Sequence, residues 1–238
     1  MEQKLLNRFI EEKSMRLKGG LYHQTQIKLA YNSNRIEGSA LSEDQTRYIY
    51  ETNTIDSSPD KTLNIDDIIE TVNHFSCFDY MLDVTKEELS EKIIKEFHRI
   101  LKTGTSDSKK EWFKIGDYKT RPNTVGGEET TLPADVPSEM KNLLDQYNSK
   151  KAEFADLVDF HYRFEIIHPF QDGNGRVGRI ILFKECLKND IVPFIIEDEY
   201  KMFYYRGLKE FKKTPGYLMD TCLSAQDKYK EILGYFLQ

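Results

Sequence analysis

The sequence predicts an all-α protein with one small β-hairpin, and three observations support this fold class. Apolar residues recur at helical spacings of three and four over most of the 238 residues. One stretch, residues 116–137, interrupts this pattern and holds three of the seven prolines and three of the thirteen glycines. Hydrophobic residues make up 39% of the chain and aromatic residues 12%, which is ample for a packed core and argues against intrinsic disorder.

Helices are predicted wherever apolar residues keep this spacing. The predicted helices cover residues 3–17, 23–36, 64–82, 86–102, 138–149, 152–167, 175–188, 198–212 and 215–236. The segment 86–102 stacks its apolar residues on one face, and Thr85 is expected to cap its N-terminus. Residues 53–63 are polar and are interpreted as a linker or an exposed loop.

The interruption at 116–137 is predicted to hold a short hairpin. The Gly126-Gly127 pair is typical of a tight turn, with Thr124-Val125 before it and Thr130-Thr131 after it. A lone two-stranded hairpin is only marginally stable unless it packs on a helix. Its isolation among helices therefore suggests a flap that covers another part of the protein, and an ordinary surface loop is the alternative.

The charge balance and the cysteines argue against several classes of protein. A formal net charge of −6 is unlike that of a dedicated nucleic-acid binder. Cys77, Cys186 and Cys222 are far apart and form no C-x-x-C pair, so neither a disulfide framework nor a structural zinc site is expected. No apolar run is long enough for a membrane span, and the first residues do not resemble a signal peptide. We therefore expect a cytoplasmic protein that binds neither nucleic acid nor membrane.

The segment HPFQDGNGRVGR, residues 168–179, is the most informative about chemistry. His168 precedes a proline, so the helix before it is expected to break there. Gly173 and Gly175 allow a tight turn with positive φ, and their N–H groups can point together at an anion. The free amides and the dipole of the helix that follows add to the same anion site.

Two arginines, a carboxylate and an imidazole complete this candidate site. Arg176 and Arg179 lie three residues apart on one helix face, where both can reach a bound phosphate chain. Asp172 is interpreted as a Mg²⁺ ligand, because magnesium bridges a carboxylate to phosphate oxygens. His168 is the candidate general base, since imidazole titrates near neutral pH. The set suits attack on a nucleotide phosphate by a hydroxyl from another molecule. Each piece alone is more often structural, so the interpretation depends on their joint occurrence.

This segment resembles the signature of the Fic family, H-P-F-x-[D/E]-G-N-G-R-x-x-R, at every specified position. The likeness continues upstream through residues 160–170, to the hairpin and to Tyr204-Tyr205. The resemblance implies a Fic-like helical bundle with a β-hairpin flap over the active site. It also implies a protein adenylyltransferase that transfers AMP from ATP to a Ser, Thr or Tyr hydroxyl of a target protein, with Mg²⁺ as cofactor. We expect an N-terminal helical region over residues 1–60, packed as one unit with a catalytic core and helical extension over 61–238.

The resemblance also implies a role for each residue of the segment. His168 would be the general base and Asp172 would hold the metal. The implied phosphate-binding residues are Gly173, Asn174 and Gly175 for the α-phosphate, Arg176 for the β-phosphate and Arg179 for the γ-phosphate.

Residues outside the segment receive weaker assignments. The flap, about residues 118–131, would hold the target chain beside the base by strand-like pairing. The residues expected to contact the target are Thr124, Val125, Gly126 and Gly127. Tyr204 and Tyr205 are candidates for stacking on adenine, and a place in the core is the alternative. His98 and His161 are expected to be structural.

A second motif lies at residues 33–38, SNRIEG. It is similar to the inhibitory pattern [S/T]-x-x-x-E-[G/N] of the family, with Ser33 and Glu37 at the specified positions. It precedes the catalytic segment, as in the class whose inhibitory helix is N-terminal. Glu37 would pair with Arg179 and occupy the space of a γ-phosphate. The alternative is a solvated carboxylate at a helix C-terminus, before a glycine.

The sequence leaves several functions open. The leading hypothesis is an adenylyltransferase inhibited by Glu37 that acts on a target protein or on itself. In a second hypothesis, Glu37 activates a water molecule that removes AMP from a modified protein. A third is a binding module that has lost activity, although His168, Asp172 and Asn174 are all present. ATP is the expected small-molecule partner, the target protein is not identified, and a homo-oligomer is compatible with the sequence.

Overall fold

A computed structural model describes residues 2–56 and 62–237. Over these two ranges the chain forms α-helices and one two-stranded antiparallel sheet, which confirms the predicted fold class. The helices are α1 (Glu2–Met15), α2 (Leu21–Ile36), α3 (Glu43–Thr52), α4 (Ile65–Asp83), α5 (Glu91–Lys102), α6 (Val136–Tyr147), α7 (Phe154–Ile167), α8 (Asn174–Lys188), α9 (Lys201–Glu210) and α10 (Gly216–Phe236). The strands are β1 (Thr124–Val125) and β2 (Glu128–Glu129), and short 3-10 turns lie at Asp107–Lys109 and Asp198–Tyr200.

Every predicted helix is present, with bounds that differ by a few residues, but the predicted cap at Thr85 is wrong. Helix α5 begins only at Glu91, and Ser90 caps it by accepting a hydrogen bond from the N–H of Ile93 at 3.4 Å. The hydroxyl of Thr85 instead donates to the carbonyl of Met81 at 2.8 Å. Part of the polar stretch predicted at 53–63, residues 57–61, lies outside the described residues.

Helix α3 was not predicted, although it carries a clear N-terminal signal. Ser42 accepts a hydrogen bond from the N–H of Gln45 at 3.1 Å, and the Gln45 side chain accepts from the N–H of Ser42 at 3.0 Å. This reciprocal pair is a capping box. The S-x-x-Q spacing was therefore available in the sequence as a helix start.

Helix α8 lies at the centre of the bundle. Every residue of α8 from Asn174 to Leu187 is buried, and α1, α2, α4, α5 and α7 pack against it. Its charged side chains must therefore find partners inside the protein, because burying an unpaired charge is costly. Its N-terminus carries the motif singled out in the sequence, so the surrounding helices determine what can reach that motif.

Three aromatic rings hold the helices around α8 in place. Phe9 of α1, Phe78 of α4 and Phe183 of α8 are fully buried and meet edge to face, with centroids 5.5 to 6.1 Å apart. Burial of each ring contributes about 1.5–3 kcal/mol, and the paired geometry adds about 0.5–1.5 kcal/mol. Helix α2 packs against α1, α4 and α8, and near its C-terminal end Ser33 contacts Arg179 of α8. None of the helices in the described ranges is both long and apolar enough to cross a membrane.

Candidate active site

His168 lies where helix α7 ends, as the sequence predicted. Its backbone is left-handed, with φ 50° and ψ 60°, which is uncommon for a residue with a side chain. Its Nδ1 lies 3.3 Å from the carbonyl oxygen of Glu165. Because a carbonyl can only accept, Nδ1 carries the proton and Nε2 keeps its lone pair. Burial lowers the pKa of His168 to about 4, and the Lys119 ammonium acts in the same direction. The ring is therefore neutral near pH 7 and can accept a proton.

The loop after His168 is closed by Asn174. The side-chain oxygen of Asn174 accepts from the N–H of Phe170 at 2.8 Å, and its amide donates to the Phe170 carbonyl at 2.8 Å. These two bonds give Asn174 a loop-closing role that the sequence analysis did not predict. A phosphate contact through its remaining N–H stays a prediction.

The two glycines of the turn are used differently. Gly173 has φ 83°, as predicted, and immediately precedes α8. The same prediction is wrong for Gly175, which lies in the first turn of α8 and does not have a positive φ. Gly175 has a steric role instead, because a Cβ there would lie 2.2 Å from Oε1 of Glu37 and the Glu37 carboxylate would have to shift. The missing side chain makes room for a carboxylate over the N-terminus of α8.

Glu37 forms an ion pair with Arg179. Oε1 of Glu37 lies 2.6 Å from Nη2 of Arg179, and the Arg179 side chain is only 3% exposed. The Ser33 hydroxyl accepts from Nε of Arg179 at 3.0 Å, and the Ser33 carbonyl accepts from Nη2 at 2.9 Å. Both specified residues of the second motif therefore contact the last arginine of the first.

Asp172 lies in a cluster of charged groups that sequence reasoning missed. Its Oδ2 accepts from Nζ of Lys102 at 2.6 Å and from Nη2 of Arg176 at 3.1 Å. Lys102 also contacts Glu70 at 2.6 Å and Asp107 at 3.1 Å, and Arg176 also pairs with Glu70. Burial alone would raise the pKa of Asp172, but Arg176 and Lys102 outweigh it and hold the pKa well below its usual range. Asp172 is therefore ionised throughout the physiological pH range.

The donor set at Asp172 suits a cation that shares its ligands with a substrate. The side chain of Asp172 is 47% exposed, so one face remains open to solvent. Across residues 2–56 and 62–237, no group of three or more His, Cys, Asp and Glu side chains is arranged to hold a metal ion. Mg²⁺ typically uses one or two carboxylates and takes its other ligands from phosphate and water. The residues present therefore fit Mg²⁺ bound together with a phosphate chain.

Two buried guanidinium nitrogens suggest an anion at the start of α8. Nε of Arg176 and Nη1 of Arg179 have no hydrogen-bond partner in the described part of the chain. Buried donors without a partner are rare, so each calls for an explanation. Nη1 of Arg179 would lie 3.0 Å from a Cβ on Gly175, so an anion at the N-terminus of α8 would lie beside this nitrogen and would also be favoured by the helix dipole.

The predicted hairpin is present. Thr124 pairs with Glu129 and Val125 with Glu128, in antiparallel register. Gly126 and Gly127 have φ of 58° and 85°, the positive values that a tight two-residue hairpin turn needs. The second strand begins directly after this turn, two residues earlier than the predicted Thr130-Thr131.

The two tyrosines proposed for adenine lie in different environments. Tyr204 is 1% exposed, and its hydroxyl is 2.7 Å from Nε2 of His161. Tyr205 is 42% exposed, and its hydroxyl donates to the carbonyl of Ile36 at 2.7 Å. Only Tyr205 presents appreciable ring surface, so the adenine contact stays a prediction that now rests mainly on Tyr205.

Glu165 is a buried carboxyl group that the sequence did not single out. Its side chain is 11% exposed, and Oε1 has no hydrogen-bond partner among the described residues. A Cβ on Gly178 would lie 2.6 Å from that oxygen, so Glu165 packs directly against α8. Burial, with the Glu37 carboxylate acting in the same direction, raises the pKa of Glu165 to about 8.

Comparison with known proteins finds a family match that includes the segment 168–179. Residues 88–185 match the Fic/DOC family. Protein adenylyltransferase fic-1 of Caenorhabditis elegans is 28% identical over 132 residues, which is 54% of this chain and 25% of the relative. Protein adenylyltransferase Fic of Drosophila willistoni is 31% identical over 130 residues, which is 53% of this chain and 25% of the relative. The match therefore spans about a quarter of each of these relatives.

Solved structures extend the likeness to the whole fold. A Fic domain containing signaling protein from Bacteroides thetaiotaomicron superimposes with a TM-score of 0.74 at 22% identity, covering 95% of this chain and 91% of that one. A Fic family protein from Desulfovibrio desulfuricans gives 0.72 at 22% identity, covering 100% of this chain and 73% of that one. The architecture is thus that of the Fic fold. This architecture and the family match at residues 88–185 make the chain similar to Fic-domain proteins.

Proposed function

We propose that this chain is a protein adenylyltransferase that transfers AMP from ATP to a hydroxyl side chain of a target protein and is inhibited by Glu37. The relatives named protein adenylyltransferase support the reaction class. One observation carries the inhibition: the Glu37 carboxylate lies 2.6 Å from Arg179 and over Gly175. That is where the dipole and amides of α8 favour an anion.

The proposed reaction begins with proton transfer to His168. Nε2 of His168 accepts the proton of the target hydroxyl, because Nδ1 is already committed to the Glu165 carbonyl. The hydroxyl oxygen then attacks the α-phosphorus of ATP. A new oxygen–phosphorus bond forms, the bond from the α-phosphorus to the oxygen that bridges it to the β-phosphate breaks, and pyrophosphate leaves. In this proposal the amides at the start of α8 stabilise charge that develops on the α-phosphate oxygens.

Asp172 is the residue that would hold Mg²⁺ in this proposal. When bound, the ion supplies charge neutralisation on the phosphate chain and orients the leaving group. Lys102 and Arg176 keep the Asp172 carboxylate ionised, so its open face is available to a cation. Nε of Arg176 has no hydrogen-bond partner among the described residues, and in this proposal it would donate to a phosphate oxygen.

Inhibition follows from competition for Arg179. While the Glu37 carboxylate holds Nη2, a γ-phosphate cannot take the same nitrogen. ATP would then bind with its α-phosphate poorly aligned for in-line attack. Small errors in alignment are costly because much of enzymatic rate enhancement comes from positioning. Removing the carboxylate should therefore raise the transfer rate.

The experiment compares AMP transfer from α-labelled ATP and Mg²⁺ by the wild type, Glu37→Gly and Glu37→Gln. Glu37→Gln keeps the shape of the side chain and removes its charge. Asp44→Asn removes an exposed carboxylate of α3 that is remote in sequence from both motifs and serves as the control. Label on the chain itself and on added acceptor proteins is measured. We expect both Glu37 variants to be faster than the wild type and the control to be unchanged.

The other outcomes separate the alternatives. Unchanged transfer by the Glu37 variants, combined with loss of AMP removal from a modified protein, would make Glu37 a hydrolytic residue. No transfer by any variant that still binds ATP would indicate a binding module without catalysis.

A further inference from the structure

Lys119 is buried at the base of the hairpin. It is 4% exposed, and no carboxylate in the described ranges forms an ion pair with it. Lysine is rarely buried in this way. Its Nζ donates to the side-chain oxygen of Asn123 at 2.7 Å, to the Thr130 hydroxyl at 2.6 Å and to the Ile167 carbonyl at 3.4 Å. These three bonds use all three donors of the ammonium group.

These acceptors lie on both legs of the hairpin and at the end of α7, next to the segment 168–179. Asn123 immediately precedes β1 and Thr130 immediately follows β2. The Thr130 hydroxyl contacts the Asn123 side-chain oxygen at 2.5 Å, which closes the base of the hairpin. Ile167 is the last residue before His168. One nitrogen therefore joins the two legs to the residue beside the proposed base.

Two further hydrogen bonds from the same region, to the carbonyls of the loop after His168, reinforce this connection. The backbone N–H of Lys119 donates to the Pro169 carbonyl at 2.8 Å, and the side-chain amide of Asn123 donates to the Phe170 carbonyl at 3.1 Å. The strands themselves contribute little, because each has two residues and all four are exposed. An isolated hairpin of this size is at best marginally stable. Its orientation relative to His168 therefore depends on the contacts at its base.

Lys119 also acts on His168 through its charge. Burial is the largest influence that lowers the pKa of His168, and the Lys119 ammonium is the next. The Glu165 carbonyl and the carboxylates of Glu37 and Asp172 act in the opposite direction. Lys119 is thus the cation that helps to keep the proposed base unprotonated.

We propose that Lys119 is a positioning residue that clamps both legs of the flap to the catalytic segment and thereby sets where a target hydroxyl meets His168. This inference rests on the proposed function for its catalytic meaning, while the clamp itself is a property of the folded chain. A clamp of this kind determines target binding rather than ATP binding, because its contacts lie on the hairpin side of His168. It therefore assigns a role in target placement to a lysine that is not part of the family signature.

The first test does not use activity. Lys119→Met removes the three donors and the charge at similar volume, Lys119→Arg keeps a charge and donors, and Lys114→Met, at an exposed lysine nearby, is the control. Amide hydrogen exchange is measured for residues 123–130, and the His168 pKa is measured by NMR with His168→Ala to assign the signal. We expect Lys119→Met to exchange at least about tenfold faster in the flap and to raise the His168 pKa by about half a unit or more. Unchanged exchange and an unchanged pKa would overturn the proposal.

A second variant covers the possibility that Lys119→Met does not fold. Thr130→Val removes one clamp acceptor and leaves the charge of Lys119 in place. It should speed exchange in the flap and leave the His168 pKa unchanged. Slow exchange in Thr130→Val, equal to that of the wild type, would count against a hydrogen-bonded clamp.

The activity test is made in the Glu37→Gly background. Adding Lys119→Met should raise KM for the acceptor protein at least about tenfold, leave the Kd for ATP unchanged, and move the acidic limb of the rate profile to higher pH. Lys119→Arg should return the acidic limb of the pH–rate profile to the position that it has in Glu37→Gly alone. A change in ATP affinity with no change in acceptor KM would contradict the assignment. If Glu37→Gly alone transfers no AMP, the proposed function fails, while exchange and NMR still decide whether the clamp exists.

Discussion

The ring of His98 lies flat on the ring of Phe170, with centroids 4.0 Å apart and planes 7° apart. Nδ1 of His98 accepts from the N–H of Gly116 at 2.9 Å, so Nε2 carries the proton and donates to the Asp172 carbonyl at 3.2 Å. His98 thus ties the segment that leads into the flap to the loop that holds Asp172. Its structural role was predicted, but this connection was not.

His98→Phe should keep the stacking and lose both hydrogen bonds. We expect the free energy of unfolding to fall by about 2 kcal/mol, because a buried N–H and a carbonyl lose their partners. His98→Asn, which keeps a donor and an acceptor but not the ring, is the matched variant. Denaturant unfolding measures both. Equal stability of His98→Phe and the wild type would show that the two hydrogen bonds contribute nothing.

Two other predictions concern the pH dependence of stability. Burial lowers the pKa of His74, His98 and His161 to about 3 in each case. The unfolded chain binds protons at these sites near pH 6.5, so the stability they contribute is present above that pH and is lost as the pH falls toward about 3. Within this pH window, each site should make the free energy of unfolding fall by about 1.4 kcal/mol for each unit by which the pH is lowered.

His74 gives the cleanest test of this acid sensitivity. Both of its ring nitrogens lack a partner within the described ranges, so His74→Phe removes a titrating group without breaking a hydrogen bond to the protein. Urea unfolding of the variant and of the wild type is compared from neutral pH down to about pH 4.5. The free energy of unfolding should change less with pH in the variant than in the wild type. An identical pH dependence of the two proteins would mean that His74 does not take up a proton on unfolding.

Glu165 should have the opposite pH dependence. Its pKa is raised from 4.5 to about 8, so the stability it contributes is present below pH 4.5 and is lost as the pH rises toward 8. Glu165→Gln removes this loss. The variant should become more stable than the wild type by an amount that grows by roughly 1 kcal/mol per pH unit across that window. A stability difference that stays constant between pH 5 and pH 8 would mean that Glu165 is ionised in the folded protein.

The catalytic roles predict two separate losses. His168→Ala should lower AMP transfer by about 10²–10⁴-fold and leave ATP binding largely intact, because only the proton acceptor is removed. Transfer within a few-fold of the wild type would exclude His168 as the base.

Asp172→Ala should lose transfer that depends on Mg²⁺, and EDTA should stop the wild type. Mn²⁺ binding in the presence of a non-hydrolysable ATP analogue gives a readout that does not depend on turnover. Full activity in EDTA would remove both the metal and the role of Asp172.

The parts of the site that were predictable from sequence lie close together in the chain. The order His168, Gly173, Arg176, Arg179 is enough to predict a helix break, a turn and two cations on one face. The contact of Glu37 with Arg179 is also present as predicted, but only the resemblance to a family linked residues so far apart. A spacing rule says nothing about two side chains on different helices.

The residues that the sequence did not single out make their contacts with other elements of the fold, which sequence spacing does not show. Lys102, Glu70 and Asp107 lie on separate elements, and each alone has the pattern of an ordinary charged surface residue. Lys119 sits in a polar loop, where burial of a lysine is not expected from sequence. The positive φ expected at Gly175 was wrong. A glycine can serve a positive φ or the close approach of another group, and the sequence alone does not distinguish these two uses.

The ion pair between Glu37 and Arg179 joins two parts of one polypeptide, and this determines how the proposed inhibition would respond to its surroundings. A tethered carboxylate has an effective concentration at Arg179 that dilution does not change. Inhibition would therefore be the same at every protein concentration for a single chain, and only the nucleotide would compete by mass action. A partner that relieves the inhibition would have to displace the end of α2, where the Ile36 carbonyl is also held by the Tyr205 hydroxyl. The extent to which such a partner relieves the inhibition would depend on how strongly it binds α2, and not on the concentration of this protein.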